Sequence, residues 1–182
     1  MVQSLKLTTS IPLPHWGIST AYSPTGRCFA VGCYDGTVVV VDSATHKVLY
    51  TLSGHGRTVI GCAFSPDGTL LATASTDMTV KLWQVATGSE VRTLTGHTDR
   101  VCGVVFTADA KHIISASCDG SARVWDIASG IPTHTLTLPG QGWSAALSAS
   151  GTLLAVGCCQ GMVALFDAAK GYTPLSTFSA HE

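Results

Sequence analysis

The chain has 182 residues, a formal net charge of −1 and only 12% charged residues, roughly half the share usual in a soluble protein. Its ten Lys and Arg are scattered without a basic run, which argues against nucleic acid or anionic lipid as a partner. Residues 127–166 carry no Asp, Glu, Lys or Arg, but Gly, Ser, Thr and Pro interrupt them well before the roughly 20 apolar residues that a membrane span needs.

From the N-terminus, MVQSLKLTTSIPLP lacks the apolar block of a secretory signal, and the expected setting is intracellular, cytoplasmic or nuclear. Residues 4–9, SLKLTT, align with HKVLYT (46–51) and read as the outer strand of a preceding unit. Four units follow, at about 15–53, 55–95, 97–138 and 142–180. The second shows the plan: TVIGCAF (58–64), the turn SPDG, LLATAS (70–75), the turn TDM, TVKLWQ (79–84), the turn ATG and EVRTL (90–94). Pro presets φ in such turns and Gly accepts positive φ. The last unit ends in PLSTFSAHE (174–182), an outer strand followed by Ala180-His181.

The units keep time. Asp35, Asp77, Asp119 and Gln160 are 42, 42 and 41 residues apart, and Val41, Trp83, Trp125 and Phe166 repeat the same steps. SPTG (23–26), SPDG (65–68), TADA (107–110) and SASG (148–151) mark a second position in each unit. Inner strands such as VVVV (38–41) are apolar on both faces and require a sheet packed on each side. A period near 42 with four strands per unit predicts an all-β propeller of four-stranded antiparallel blades. A β-sandwich is the competing fold, but it gives no reason for a fixed period.

Seven cysteines lie in or beside apolar segments, with no CxxC pair and no Cys/His spacing of a zinc site. They read as small buried hydrophobes, and neither metal nor cofactor is expected.

The strings GHGRTVIGCAFSPDGTLLATASTDMTVKLW (54–83) and GHTDRVCGVVFTADAKHIISASCDGSARVWD (96–126) resemble blades of the WD-repeat family. The resemblance implies one structural hydrogen-bonded tetrad per blade: His55, Thr73, Asp77 and Trp83 in the second, His97, Ser115, Asp119 and Trp125 in the third. Ser75 and Ser117 share a face with the named hydroxyls and leave that choice open. A catalytic reading of His, Ser and Asp is disfavoured by their repetition and by the absence of a G-x-S-x-G nucleophile elbow. The end blades depart from the pattern. The first has Leu13, Val31, Asp35 and Val41 at the four places, and the fourth has Leu138, Val156, Gln160 and Phe166. Replacing a whole polar network by apolar groups is far less costly than losing one member.

Rings of this family usually have about seven blades, so four imply an arc of a larger ring, completed by further blades or by a second chain. The function implied is a non-catalytic scaffold that binds other proteins through loops. The competing classes are a nucleic-acid or phosphoinositide reader, or the sensor module of a larger protein. On the face carrying the Gly-His loops, the candidate partner-binding residues are Trp16, Tyr34, Arg57, Thr76, Asp99, Arg100, Cys118, Trp143 and Cys159. Aromatic residues and Arg are the usual anchors of interfaces.

Overall fold

The computed structural model describes residues 10–179. The proposed strand at 4–9 and the Ala180-His181 dipeptide lie outside them. Sixteen strands form four antiparallel sheets of four, each in simple up-and-down order. The first sheet holds β1 (Gly17–Tyr22), β2 (Cys28–Cys33), β3 (Val38–Asp42) and β4 (Val48–Leu52). The second holds β5 (Val59–Phe64), β6 (Leu70–Ser75), β7 (Val80–Gln84) and β8 (Glu90–Leu94). The third holds β9 (Val101–Phe106), β10 (His112–Ser117), β11 (Ser121–Asp126) and β12 (Pro132–Thr137). The fourth holds β13 (Gly142–Leu147), β14 (Leu153–Cys158), β15 (Met162–Asp167) and β16 (Thr173–Ser179). The only helical pieces among these residues are two three-residue 3-10 turns, Cys159–Gly161 and Ala168–Lys170.

The turns between first and second strands use the same chemistry in the second, third and fourth sheets. The hydroxyl of Ser65 accepts from Leu70 N–H at 2.9 Å, that of Thr107 from His112 N–H at 3.0 Å and that of Ser148 from Leu153 N–H at 3.0 Å. Gly68 closes the turn of the second sheet at φ +71°; Ala110 holds the same place in the third at φ +54°, a left-handed conformation in which a Cβ is strained.

The sheets stack through their first strands, β1 on β5, β5 on β9 and β9 on β13. Backbones meet here. A Cβ on Gly61 would stand 2.9 Å from the Cys102 carbonyl oxygen, and one on Gly103 would stand 2.8 Å from Ser144 Cα. Among the described residues no comparable contact joins β13 back to β1, so the stack is an open arc.

Between sheets lie three apolar cores. Ala30, Val38 and Val40 meet Leu71 and Trp83; Ala72, Val80 and Leu82 meet Ile113 and Trp125; Ile114, Ala122 and Val124 meet Leu154, Val156 and Phe166. Each sheet therefore turns its tryptophan-bearing face, or the equivalent, toward the preceding sheet. On the free side of the first sheet, Ile11 and Leu13 pack on Val31, Val39 and Val41. On the free side of the fourth, strand alternation and pairing place Ala146, Leu153, Ala155, Val163, Leu165 and Phe178 on one face. Phe178 is 48% exposed and Leu153 44%.

Contacts at the outer rim also repeat. Tyr50 on β4 donates its hydroxyl to the Ala86 carbonyl at 2.7 Å. Arg92 on β8 donates to the carbonyls of Ala128 and Ser129 at 2.9 and 3.1 Å. His134 on β12 packs its ring on Tyr172, with centroids 5.2 Å apart. Each reaches the turn between third and fourth strands of the following blade, and the three residues are 42 apart in sequence.

Candidate interaction face and the networks behind it

The loop before β5 carries His55 into the end of the second sheet. Its Nδ1 lies 2.8 Å from Asp77 Oδ2 and its Nε2 lies 2.8 Å from Thr73 Oγ1. Trp83 Nε1–H donates to the same Thr73 oxygen at 2.9 Å. An ionised carboxylate only accepts, so Nδ1 carries the proton and Nε2 accepts from the threonine hydroxyl. The third sheet repeats this with distances of 2.7 Å from His97 Nδ1 to Asp119, 2.7 Å from Nε2 to Ser115, and 2.8 Å from Trp125 Nε1 to Ser115.

Ser75 and Ser117 serve a different purpose. Their hydroxyls donate to the carbonyls of Arg57, at 3.0 Å, and of Arg100, at 2.9 Å, and accept from the N–H of Asp77 and Asp119. Thr79 and Ser121 complete the aspartate shells. The hydroxyl of Thr79 donates to Asp77 Oδ1 at 2.7 Å and that of Ser121 to Asp119 Oδ1 at 2.6 Å. These two members were not among the expected ones, although a Thr or Ser two residues after the turn Asp is visible at positions 37, 79 and 121.

Burial alone pushes the Asp119 carboxyl upward, but hydrogen bonds from Ser121, His97 and the Thr98 amide outweigh it and hold its pKa at about 2. At Asp77 the same opposition of burial against hydrogen bonds from His55 and Thr79 also ends well below the usual carboxylate range. Burial lowers His97, with the Arg123 charge adding to it, and Asp119 only partly restores it.

Among the described residues no such network exists at the ends of the arc. Asp35 accepts, among these residues, only from the amide and hydroxyl of Thr37, the hydroxyl at 2.7 Å. Leucines occupy the histidine places: a Cβ on Gly17 would touch Leu13 and Val31, and one on Gly142 would touch Leu138. Trp16 and Trp143 do not fill that space. They point outward, 72% and 48% exposed.

The same end of the sheets carries the candidate binding residues. Tyr34, Thr76, Cys118 and Cys159 hold equivalent places, their N–H groups donating to the carbonyls of Trp16, Thr58, Arg100 and Gln141. Over the first sheet His15, Trp16 and Tyr34 form a cluster; His15 stacks on Tyr34 at 5.2 Å and Trp16 lies 5.8 Å from it. A shallow depression beside it is lined by Tyr34, Asp35, Arg57, Thr58 and Thr76. Thr58 Oγ1 donates to the Tyr34 carbonyl at 2.9 Å and ties the first two sheets at this face. Further along, Arg57 and Arg100 are exposed, Asp99 is half-buried with its carboxylate 3.9 Å from Arg100, and the Arg100 guanidinium lies 5.8 Å from the Trp143 ring centre. Thr76 and Cys159 are half-buried. Cys118 is buried, so it borders the face without presenting itself to a partner.

No group of three or more His, Cys, Asp or Glu that could hold a metal occurs among the described residues. No helix among them is long and apolar enough to cross a membrane.

The family described as WD domain, G-beta repeat matches this chain over residues 8–42, 46–84 and 88–126. No curated protein matches it. Among solved structures it is similar to "Structure of U3-55K" with a TM-score of 0.86 and 21% identity, covering 94% of this chain and 54% of that one. The chain thus spans about half the length of that protein, and at this identity the likeness concerns the fold.

Proposed function

Because the chain belongs to the WD domain, G-beta repeat family, whose members are commonly interaction scaffolds and generally not enzymes, we propose that it is a non-catalytic scaffold binding other proteins through the face that carries Trp16, Tyr34, Arg57, Arg100 and Trp143. The observation that carries this reading is the exposure of two tryptophans and a tyrosine at one end of the sheets, flanking the two middle blades whose loops are held by buried networks. Exposed aromatic groups on a fixed frame bind at a small ordering cost. The tetrads belong to the frame under this reading: His55, Thr73, Asp77 and Trp83, with His97, Ser115, Asp119 and Trp125, hold the loops and do no chemistry.

The test compares proteins captured from lysate by the chain and by a Trp16→Ala/Tyr34→Ala/Arg57→Ala variant. All three side chains are exposed, so unfolding should be unchanged while specific captured proteins are lost. Identical capture by both forms would remove this face from the reading, and retention on heparin at physiological salt would favour a polyanion reader instead.

The open side of the fourth sheet extends the proposal. Ala155 and Leu165 stand where Ile114 and Val124 stand in the third sheet, and those two are buried by the following blade. In the working protein this face is covered by a further blade, from a longer chain or from a second one. Light scattering on the 182-residue chain is expected to show self-association; a stable, monodisperse 18.8 kDa monomer would count against it.

A further inference from the structure

Two thiols of the third sheet face each other. Cys102 Sγ and Cys118 Sγ are 3.4 Å apart, and both residues are buried. Their backbones lie side by side: Val101 pairs with Ser117, Gly103 pairs with Ala116, Cys102 bulges between, and Cys118 N–H donates to the Arg100 carbonyl. Cys118 lies opposite Arg100 and so stands diagonally from Cys102 across the bulge, and the side chains bridge that diagonal to bring the sulfurs together. The sulfurs have only to close from 3.4 Å to a bond of about 2.05 Å.

The repeat does not demand cysteine at these places. The counterparts are Ile18 and Tyr34 in the first blade, Ile60 and Thr76 in the second, and Trp143 and Cys159 in the fourth. Other thiols have other neighbours: Cys62 Sγ lies 3.4 Å from Ser19 Oγ, and Cys33 and Cys158 reach the carbonyls of Val31 and Val156. Among the described residues no second pair of sulfurs is in contact.

We propose that Cys102 and Cys118 form a reversible disulfide, closed by hydrogen peroxide and reopened by a small dithiol. Cys118, buried just beneath the turn, reacts with peroxide that reaches it through local opening of that turn: an S–O bond forms, the O–O bond breaks, and water leaves with the thiol proton. Cys102 then displaces hydroxide from the sulfenic acid; the S–S bond forms, the S–O bond breaks, and the Cys102 proton leaves with hydroxide as a second water. Two thiols are oxidised and one peroxide is reduced. Burial first, and then the hydrogen bond with Cys118, push the Cys102 thiol up to about 12, so Cys102 stays protonated at rest and its attack, which needs the thiolate, sets the pace of closure. Closure pins the β9 bulge to the β10–β11 turn, beside Arg100 and Trp143. The inference is independent of what binds the face.

Trypsin separates the two cysteines, because cleavage at Arg100, Lys111 and Arg123 gives VCGVVFTADAK (101–111) and HIISASCDGSAR (112–123), with one cysteine each. The folded chain is treated with hydrogen peroxide, alkylated and digested without reduction. The expected product is these two peptides linked and lighter by two hydrogens, lost after dithiothreitol treatment. In Cys102→Ser the link disappears and Cys118 is oxidised alone. The proposal is overturned if both peptides from the oxidised wild type stay separate, whether alkylated or with Cys118 carried to the sulfonic acid; this readout needs no variant to fold.

Discussion

Trp125→Ala lowers the unfolding free energy by about 3–5 kcal/mol. The indole is fully buried between the second and third sheets, against Ala72, Leu82 and Ile113. Truncation opens a cavity between two blades and removes the donor to Ser115. Trp125→Phe separates the two effects. It keeps most of the apolar contact, and Ser115 still pairs with His97, so its cost is about 1 kcal/mol plus the smaller ring's lost packing. Urea denaturation of both variants checks this. Equal costs for Phe and Ala would mean that the hydrogen-bonded chain, rather than packing, dominates. Phe166 already occupies the corresponding place in the fourth sheet, buried and without a network behind it.

Acidification weakens the fold in two stages. His97 has a lowered folded pKa, so below its ordinary value the unfolded chain binds the extra proton and stability falls as the pH drops from about 6.5. Asp119 and Asp77 are lowered too, so their contribution is present above the unfolded carboxylate value near 3.8 and is lost as the pH falls toward about 2. At Asp119 the difference corresponds to about 2 kcal/mol. Asp67 and Asp109, held down first by hydroxyl hydrogen bonds from Ser65 and Thr107, steepen the acid limb. Asp119→Asn isolates one contribution: less stable than the parent near neutral pH, it should show a shallower loss on acidification. Urea midpoints from about pH 7 to pH 3 decide it; parallel curves for the two proteins would show that Asp119 is not a source of the slope.

The propeller architecture was legible because period, turn residues and two-sided apolar strands all pointed the same way. The Gly-His loops and turn aspartates marked the ends where the networks sit. Less visible was anything set by side-chain direction. Trp16 and Trp143 occur beside vacated histidine places, yet whether an indole turns in or out depends on Leu13 and Leu138 having filled the space. The choice of Thr73 over Ser75 also escaped the alternation rule, since both lie on one face and both are fully buried. The rim contacts of Tyr50, Arg92 and His134 were hidden for a chemical reason. A phenol, a guanidinium and an imidazole share no sequence signature, although all three reach the next blade from the same register.

Those rim contacts have a mechanical consequence. The inner strands abut backbone to backbone at Gly61 and Gly103, while the rim residues clasp the next blade at the largest radius, where resistance to splaying has most leverage. Fastened at both radii, adjacent wedges cannot fan apart or slide, and the curvature of the arc becomes a fixed dimension. A ligand that touches two blades at once therefore meets a preset gauge, and those that fit must match its spacing.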